Sequence, residues 1–254
     1  MYHSITFATT LDDLDTGSLV GQNTWTDWHL IPASRPTMSM PKPALNFVEV
    51  PGRNGAIDMT TYLTGNVTFS DRTGSFEFIV DNGHEYWMTI YRKIASYLHG
   101  KRLYMCLADD DPGYYYEGRF TLNAWKSDPA NSKVAIDYQV SPFKYSILTR
   151  GIDKTIWDTF NFETDMDWDI LQELTITGNT EISIPADDYP FKVSLIVVSL
   201  GENASLTATF RGTSVALTQV GQTFNFPNPT VRGDNILTLS GDGVAKVTFR
   251  DGSL

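Results

Sequence analysis

The 254-residue chain reads as mostly β and as two domains, an N-terminal β-sandwich with one α-helix followed by a second β-sandwich. Three observations predict this. Short runs rich in aromatic and β-branched residues, bounded by turn residues, recur along the chain. One segment alone carries apolar residues at helical spacing. A proline-marked break near Ser141–Gly151 separates a first region from a second of different composition. The division is placed after Tyr145, giving domains 1–145 and 146–254.

In the first region, strands are read at Asn66–Phe69, Gly74–Val80, Arg102–Leu107, Tyr114–Leu122 and Lys133–Val140. Pro51-Gly52 and Asn54-Gly55 are turn dipeptides, because Gly and Asn tolerate positive φ. Asp109-Asp110-Asp111-Pro112-Gly113 reads as a turn between two strands, its three carboxylates in water. The helix is read over His84–His99, where Tyr86, Ile90, Tyr91, Ile94 and Leu98 form an apolar stripe. Asp81 or Asn82 can cap its start, and Gly100 stands where a C′ glycine would end it. Such a helix packs across one face of a sheet.

The segment 152–254 contains no His and no Cys and is rich in Thr and Ser. Its strands are read at Phe191–Leu200, Ser205–Phe210, Asn235–Leu239 and Val244–Phe249. In the last, Ala245, Val247 and Phe249 face one side while Lys246, Thr248 and Arg250 face the other. Short strands with regular turns predict a β-sandwich.

Composition bounds the partners. Hydrophobic residues make up 41% and charged residues 19%, which suits a globular chain. The net charge of −11 argues against an electrostatic grip on nucleic acid or on an anionic membrane. Both regions are acidic, with 16 Asp/Glu against 12 Lys/Arg in 1–148 and 14 against 7 in 149–254. No apolar run is long enough to span a bilayer, so no membrane insertion is expected. Met1–Ala8 lacks the basic start and apolar run of a signal peptide. The single cysteine, Cys106, lies in the apolar run Leu103–Leu107 and reads as a buried, inert thiol.

Site chemistry is sparse. Asp165-Met166-Asp167-Trp168-Asp169 resembles the opening of a calcium loop. An EF-hand needs glycine at its sixth position and glutamate at its twelfth, and Ile170 and Ile176 stand there instead. His3, His29, His84 and His99 show no ligand spacing. His99, near the helix end, suits the helix dipole. Trp157 and Trp168 are candidates for stacking on sugars, or for the core. Tyr114-Tyr115-Tyr116 suits an interface. No catalytic residue, metal or cofactor is expected, and the chain is not read as an enzyme.

Several pieces recur in one order: Trp25-Thr26-Asp27-Trp28, Arg35-Pro36, Val50-Pro51-Gly52-Arg53-Asn54-Gly55, Ile57-Asp58-Met59-Thr60 and Arg72-Thr73-Gly74-Ser75-Phe76-Glu77-Phe78. Together they resemble the distal tail proteins of long-tailed, non-contractile bacteriophages. The closing run Val247–Leu254 looks like the last strand of that family's galectin-like domain. The resemblance implies a structural virion protein, made in the host cytoplasm, whose first domain forms a hexameric ring, alone or stacked on a second ring. The ring would join the tail tube protein to the tail-tip hub protein, and the second domain would dock receptor-binding or baseplate proteins. DNA would pass through the bore without stable binding. Pro51, Gly52, Arg53, Asn54, Gly55 and Asp58 are the candidate ring contacts. The alternatives are a carbohydrate-binding or adhesion module and, third, a cell-wall hydrolase. Sugar binding is not expected of the second domain, because sugar-binding galectins use a histidine and this segment has none.

Overall fold

The computed structural model describes residues 3–11, 19–62, 64–81, 86–124, 126–127, 132–149, 160–161, 166–167, 173–184, 189–201, 205–230 and 235–254. The chain is mostly β and divides into two compact units, Met1–Ile147 and Leu148–Ser253.

The first unit contains β1 (Ile5–Ala8), β2 (Gln22–Asn23), β3 (Leu30–Pro32), β4 (Phe47–Val48), β5 (Ile57–Asp58), β6 (Arg72–Val80), α1 (Trp87–Leu98), β7 (Arg102–Leu107), β8 (Asp111–Leu122), β9 (Lys126–Ser127), β10 (Ser132–Val140) and β11 (Lys144–Ser146). Its antiparallel sheet has the order β2-β1-β7-β8-β10-β6-β3. Strand β9 pairs with β10, and β11 pairs with β8. Alternation along β8 sets two cores. Tyr116, Phe120 and Leu122 enter one with Phe7, Phe78 and Ile136. Their neighbour Tyr115 enters the other, with Ala8, Cys106 and Tyr145.

Helix α1 covers the larger core through Trp87, Ile90, Ile94 and Leu98. The stripe therefore begins at Trp87 and not at Tyr86, which is exposed. Tyr91 packs at the margin and donates its hydroxyl hydrogen to the Asn123 carbonyl. Tyr86 is the N-cap and supplies no side-chain bond, so Asp81 is not the cap; Asn82 lies outside the described residues. Gly100 follows the helix with φ of 72°, as expected. His99 reaches the sheet, where its Nδ1 accepts the Leu122 amide at 3.2 Å.

The Trp25–Trp28 run is a core staple. Asn23 Oδ1 accepts the amides of Trp25 and Thr26, while Asp27 Oδ2 accepts the Asn23 amide at 2.7 Å. These reciprocal bonds close one helical turn, in the manner of a capping box. The turn places Trp28 in the core, stacked on Phe7 at 5.7 Å and edge-on to Tyr97 at 5.8 Å.

Three further sequence expectations need correction in this unit. Asn66–Phe69 is not a strand; only Phe69 forms a bridge, with Pro43. Strand β8 begins at Asp111, so Pro112-Gly113 lies inside a strand and the turn is Ala108–Asp110. Tyr115 and Tyr116 are core residues while Tyr114 is half-buried, so two of the three tyrosines serve the fold of the subunit itself.

The second unit contains β12 (Phe160–Asn161), β13 (Met166–Asp167), β14 (Glu173–Ile184), β15 (Lys192–Leu200), β16 (Leu206–Phe210), β17 (Thr213–Leu217), β18 (Thr223–Asn225), β19 (Asn235–Arg250) and β20 (Gly252–Ser253). The two strands expected at 235–239 and 244–249 are one, β19. Along one edge it pairs with all twelve residues of β14, from Glu173↔Lys246 to Ile184↔Asn235. Along its other edge, β16 takes Leu237–Ser240 and β15 takes Gly243–Arg250. The sheet order is β17-β16-β19-β15-β18.

Ser240-Gly241-Asp242-Gly243 reads as a turn in the sequence, yet continuous pairing with β14 keeps it in the sheet. Gly241 (φ 129°) faces Gly178 (φ 74°) in register. A Cβ on Gly241 would stand 2.4 Å from the Ser205 carbonyl oxygen. Glycine is required there by both conformation and space. Strand β14 itself was missed, because Gly178-Asn179 interrupts the alternation of Leu174, Ile176, Ile182 and Ile184. Ala245, Val247 and Phe249 are buried on one face as expected, but Thr248 and Arg250 are buried too.

Gly241→Ala is expected to destabilise the second unit by about 2 kcal/mol or more, since strain and overpacking add. Urea unfolding of the full chain, followed by β15 amide signals, measures this. An unchanged midpoint would exclude a steric requirement at Gly241.

Candidate assembly interface

Between Pro41 and Asp71 the chain leaves the sheet and returns as an arm. Ser70 donates its amide to the Lys42 carbonyl at 3.0 Å, and the Ala44 amide reaches the Thr68 carbonyl at 2.8 Å. Pro43 bridges Phe69. The Met59 amide then bonds the Asn46 carbonyl at 2.8 Å, and β4 pairs with β5 through Phe47↔Asp58 and Val48↔Ile57. The tip spans 49–56. Gly52 and Gly55 hold φ of 83° and 78°, and the Arg53 amide closes a turn on the Val50 carbonyl at 3.1 Å.

Pro51, Gly52, Arg53, Asn54, Gly55 and Asp58 are brought together on this one arm, and all are exposed. Asp58 Oδ1 accepts the Thr60 amide at 2.9 Å. Thr60 Oγ1 accepts the Asn46 amide at 3.0 Å, which joins the turn to the facing strand. Hydrogen bonds from Thr60, its side chain first and its backbone second, hold the Asp58 carboxyl below the ordinary aspartate range.

The arm's surface is unusual. Thirteen large hydrophobic side chains are exposed among the described residues, and seven lie between Met40 and Val67. They are Met40, Leu45, Phe47, Val48, Val50, Tyr62 and Val67, with Tyr62 at 75% and Phe47 at 56% exposure. The turn motifs alone did not bring these residues forward. Lys42, Glu49, Arg53, Asp58 and Asp71 leave the arm only one negative charge in excess, so the surface is apolar rather than steering. A two-stranded ribbon is marginal in water unless something packs on it. A cluster of exposed apolar side chains marks a contact surface.

The other sequence candidates resolve differently. The three carboxylates of Asp109–Asp111 do not share water; each has its own partner. Asp109 accepts the Ser4 amide at 2.7 Å. Asp110, at 8% exposure, lies 3.0 Å from His3 Nδ1 and 2.6 Å from an Arg35 nitrogen. Asp111 pairs with Lys144 Nζ at 2.8 Å. The Arg35-Pro36 segment is thus tied to the Ala108–Asp110 turn. No group of three metal-ligating side chains occurs among the described residues. Burial pushes the Cys106 thiol up to about 12, with Asp111 adding to the shift, which suits an inert core sulfur. Trp157, His84 and most of Asp165–Asp169, Trp168 included, lie outside the described residues.

No family model matches the chain. No curated protein matches it either. Among solved structures its fold is similar to that of Dit (gp 19.1), a distal tail protein of phage SPP1 described as a paradigm of the hub adsorption apparatus in phages infecting Gram-positive hosts. The similarity covers 98% of this chain and 99% of that one, at 12% identity and a TM-score of 0.50. It extends over both units and concerns the fold.

Asp58 is expected to titrate below ordinary aspartate, and Thr60→Val to move it back up. Because its folded pKa is depressed, the carboxylate supports the turn above the ordinary aspartate range. That support fades as pH falls through the folded value. Carboxyl NMR titration of both proteins reads this directly; equal midpoints would remove Thr60 as the cause.

Proposed function

We propose that this chain is a structural subunit of a phage tail tip. Six copies close into a ring, single or stacked, that joins the tail tube protein to the tail-tip hub protein. The first unit forms the ring, and the second, as a galectin-like domain, docks receptor-binding or baseplate proteins. The role is assembly by burial of surface, without catalysis, in the virion. The observation that carries the reading is the arm of residues 41–71, with its cluster of exposed apolar side chains.

A head-to-tail ring needs two different, complementary faces on each subunit. An arm projecting from a sheet supplies one such face, and the body of the next copy supplies the other. The two-unit fold similar to Dit over nearly the full length supports the same reading. Arg53 at the tip offers a guanidinium, a group favoured at interfaces. The acidic balance of the first region suits a bore that lets DNA pass, since basic walls would hold it by counterion release.

Mass measurement of the purified chain is expected to give a hexamer or dodecamer that does not retard double-stranded DNA at physiological salt. Phe47→Asp and Arg53→Glu are each expected to weaken assembly about tenfold or more while leaving the monomer folded. A strictly monomeric protein, or full assembly in both variants, would sink the ring reading.

A further inference from the structure

Arg72 opens β6, where the arm rejoins the sheet, and is only 2% exposed. Its Nε donates to the Pro142 carbonyl at 2.8 Å. One terminal nitrogen donates to the Ser39 carbonyl at 2.9 Å, and the guanidinium lies 5.5 Å from the centre of the Tyr116 ring. The other terminal nitrogen has no hydrogen-bond partner among the described residues. No described carboxylate pairs with Arg72.

Ser39, just before the arm departs, is held from three sides. Arg72 takes its carbonyl. Its hydroxyl donates to the Thr73 carbonyl at 2.9 Å, and its amide donates to the Tyr138 hydroxyl at 3.2 Å. Tyr138 reaches it across Gly74, where a Cβ would stand 2.3 Å from the tyrosine oxygen. Phe76 stacks on Tyr138 at 4.8 Å and fixes its ring. The run Arg72-Thr73-Gly74 is therefore one device, closed on Ser39 by Tyr138.

A buried cation without a carboxylate is costly, and an apolar side chain of similar volume packs at least as well. What an apolar side chain cannot do is bind two carbonyls in fixed directions. We propose that Arg72 is the positioning residue of the arm, clamping Ser39 together with Thr73 and Tyr138 and so fixing the direction in which the arm meets a second copy. The clamp stands on the geometry alone; its consequence for assembly rests on the ring reading above.

Amide hydrogen exchange on the full chain tests it in Arg72→Met, Tyr138→Phe and Arg53→Glu. In the first two, the Ser39 and Ser70 amides are expected to exchange about tenfold faster, with α1 amides unchanged and assembly weakened. Arg53→Glu is the control, with weakened assembly and a protected Ser39. Unchanged exchange at Ser39 in Arg72→Met overturns the clamp. If that variant loses α1 protection throughout, Tyr138→Phe, which keeps the core ring, decides by the same criterion. A loosened root with undiminished assembly would leave the clamp standing and overturn the arm as the ring contact.

Discussion

An antiparallel ribbon two strands wide cannot bury both of its faces, and this constraint governs how the first unit presents itself. The arm of residues 41–71 has a ladder of backbone bonds but little core of its own. It depends on the sheet at its root and on whatever covers the apolar side chains exposed along it. The root is held by side chains of the sheet itself. Arg72, Gly74 and Tyr138 meet within one register of β6 and β10, where Tyr138 faces Gly74 directly. The rest of the sheet serves as a rigid base. Helix α1 and the Trp28 turn pack its larger core, and Tyr115 with Tyr145 close the smaller one.

Periodicity made much of this legible. Strand β7 falls on the residues the pattern gives, and β6, β10, β15 and β16 fall within two. The helix was evident, but its buried edge was displaced by one residue, because Trp87 rather than Tyr86 meets the sheet. What sequence reading missed has a common cause. Glycine and proline announce turns, yet continuous pairing with β14 keeps Gly241-Asp242-Gly243 in β19, and Pro112 is accommodated at the start of β8. Long-range hydrogen bonding overrode the local signal.

The candidate site was legible in a different way. Turn dipeptides located the arm tip, since positive φ at Gly52 and Gly55 is a local demand of the backbone. The apolar surface beside it was not evident, because an exposed Phe47 and a buried Phe78 look alike in a sequence. Nor could the partners of Asp109–Asp111 be read, as Ser4, His3 and Arg35 come from segments more than seventy residues away. Carboxylates read as standing in water are each held by a partner from elsewhere in the chain, Asp109 by the Ser4 amide, Asp110 by Arg35 and Asp111 by Lys144.

The pairing of β14 has a consequence for how the second unit forms. Its partners on β19 lie from 51 residues downstream for Ile184 to 73 for Glu173. During synthesis, β14 leaves the ribosome long before its template exists. Ile176, Ile182 and Ile184, all buried in the finished unit, face water throughout that wait. Closure of so distant a pair is slow, and an unpaired strand edge is free meanwhile to join another nascent chain. The same strand that organises the second unit therefore makes its folding the vulnerable step in producing the protein, with the timing set by translation rather than by the stability of the finished sheet.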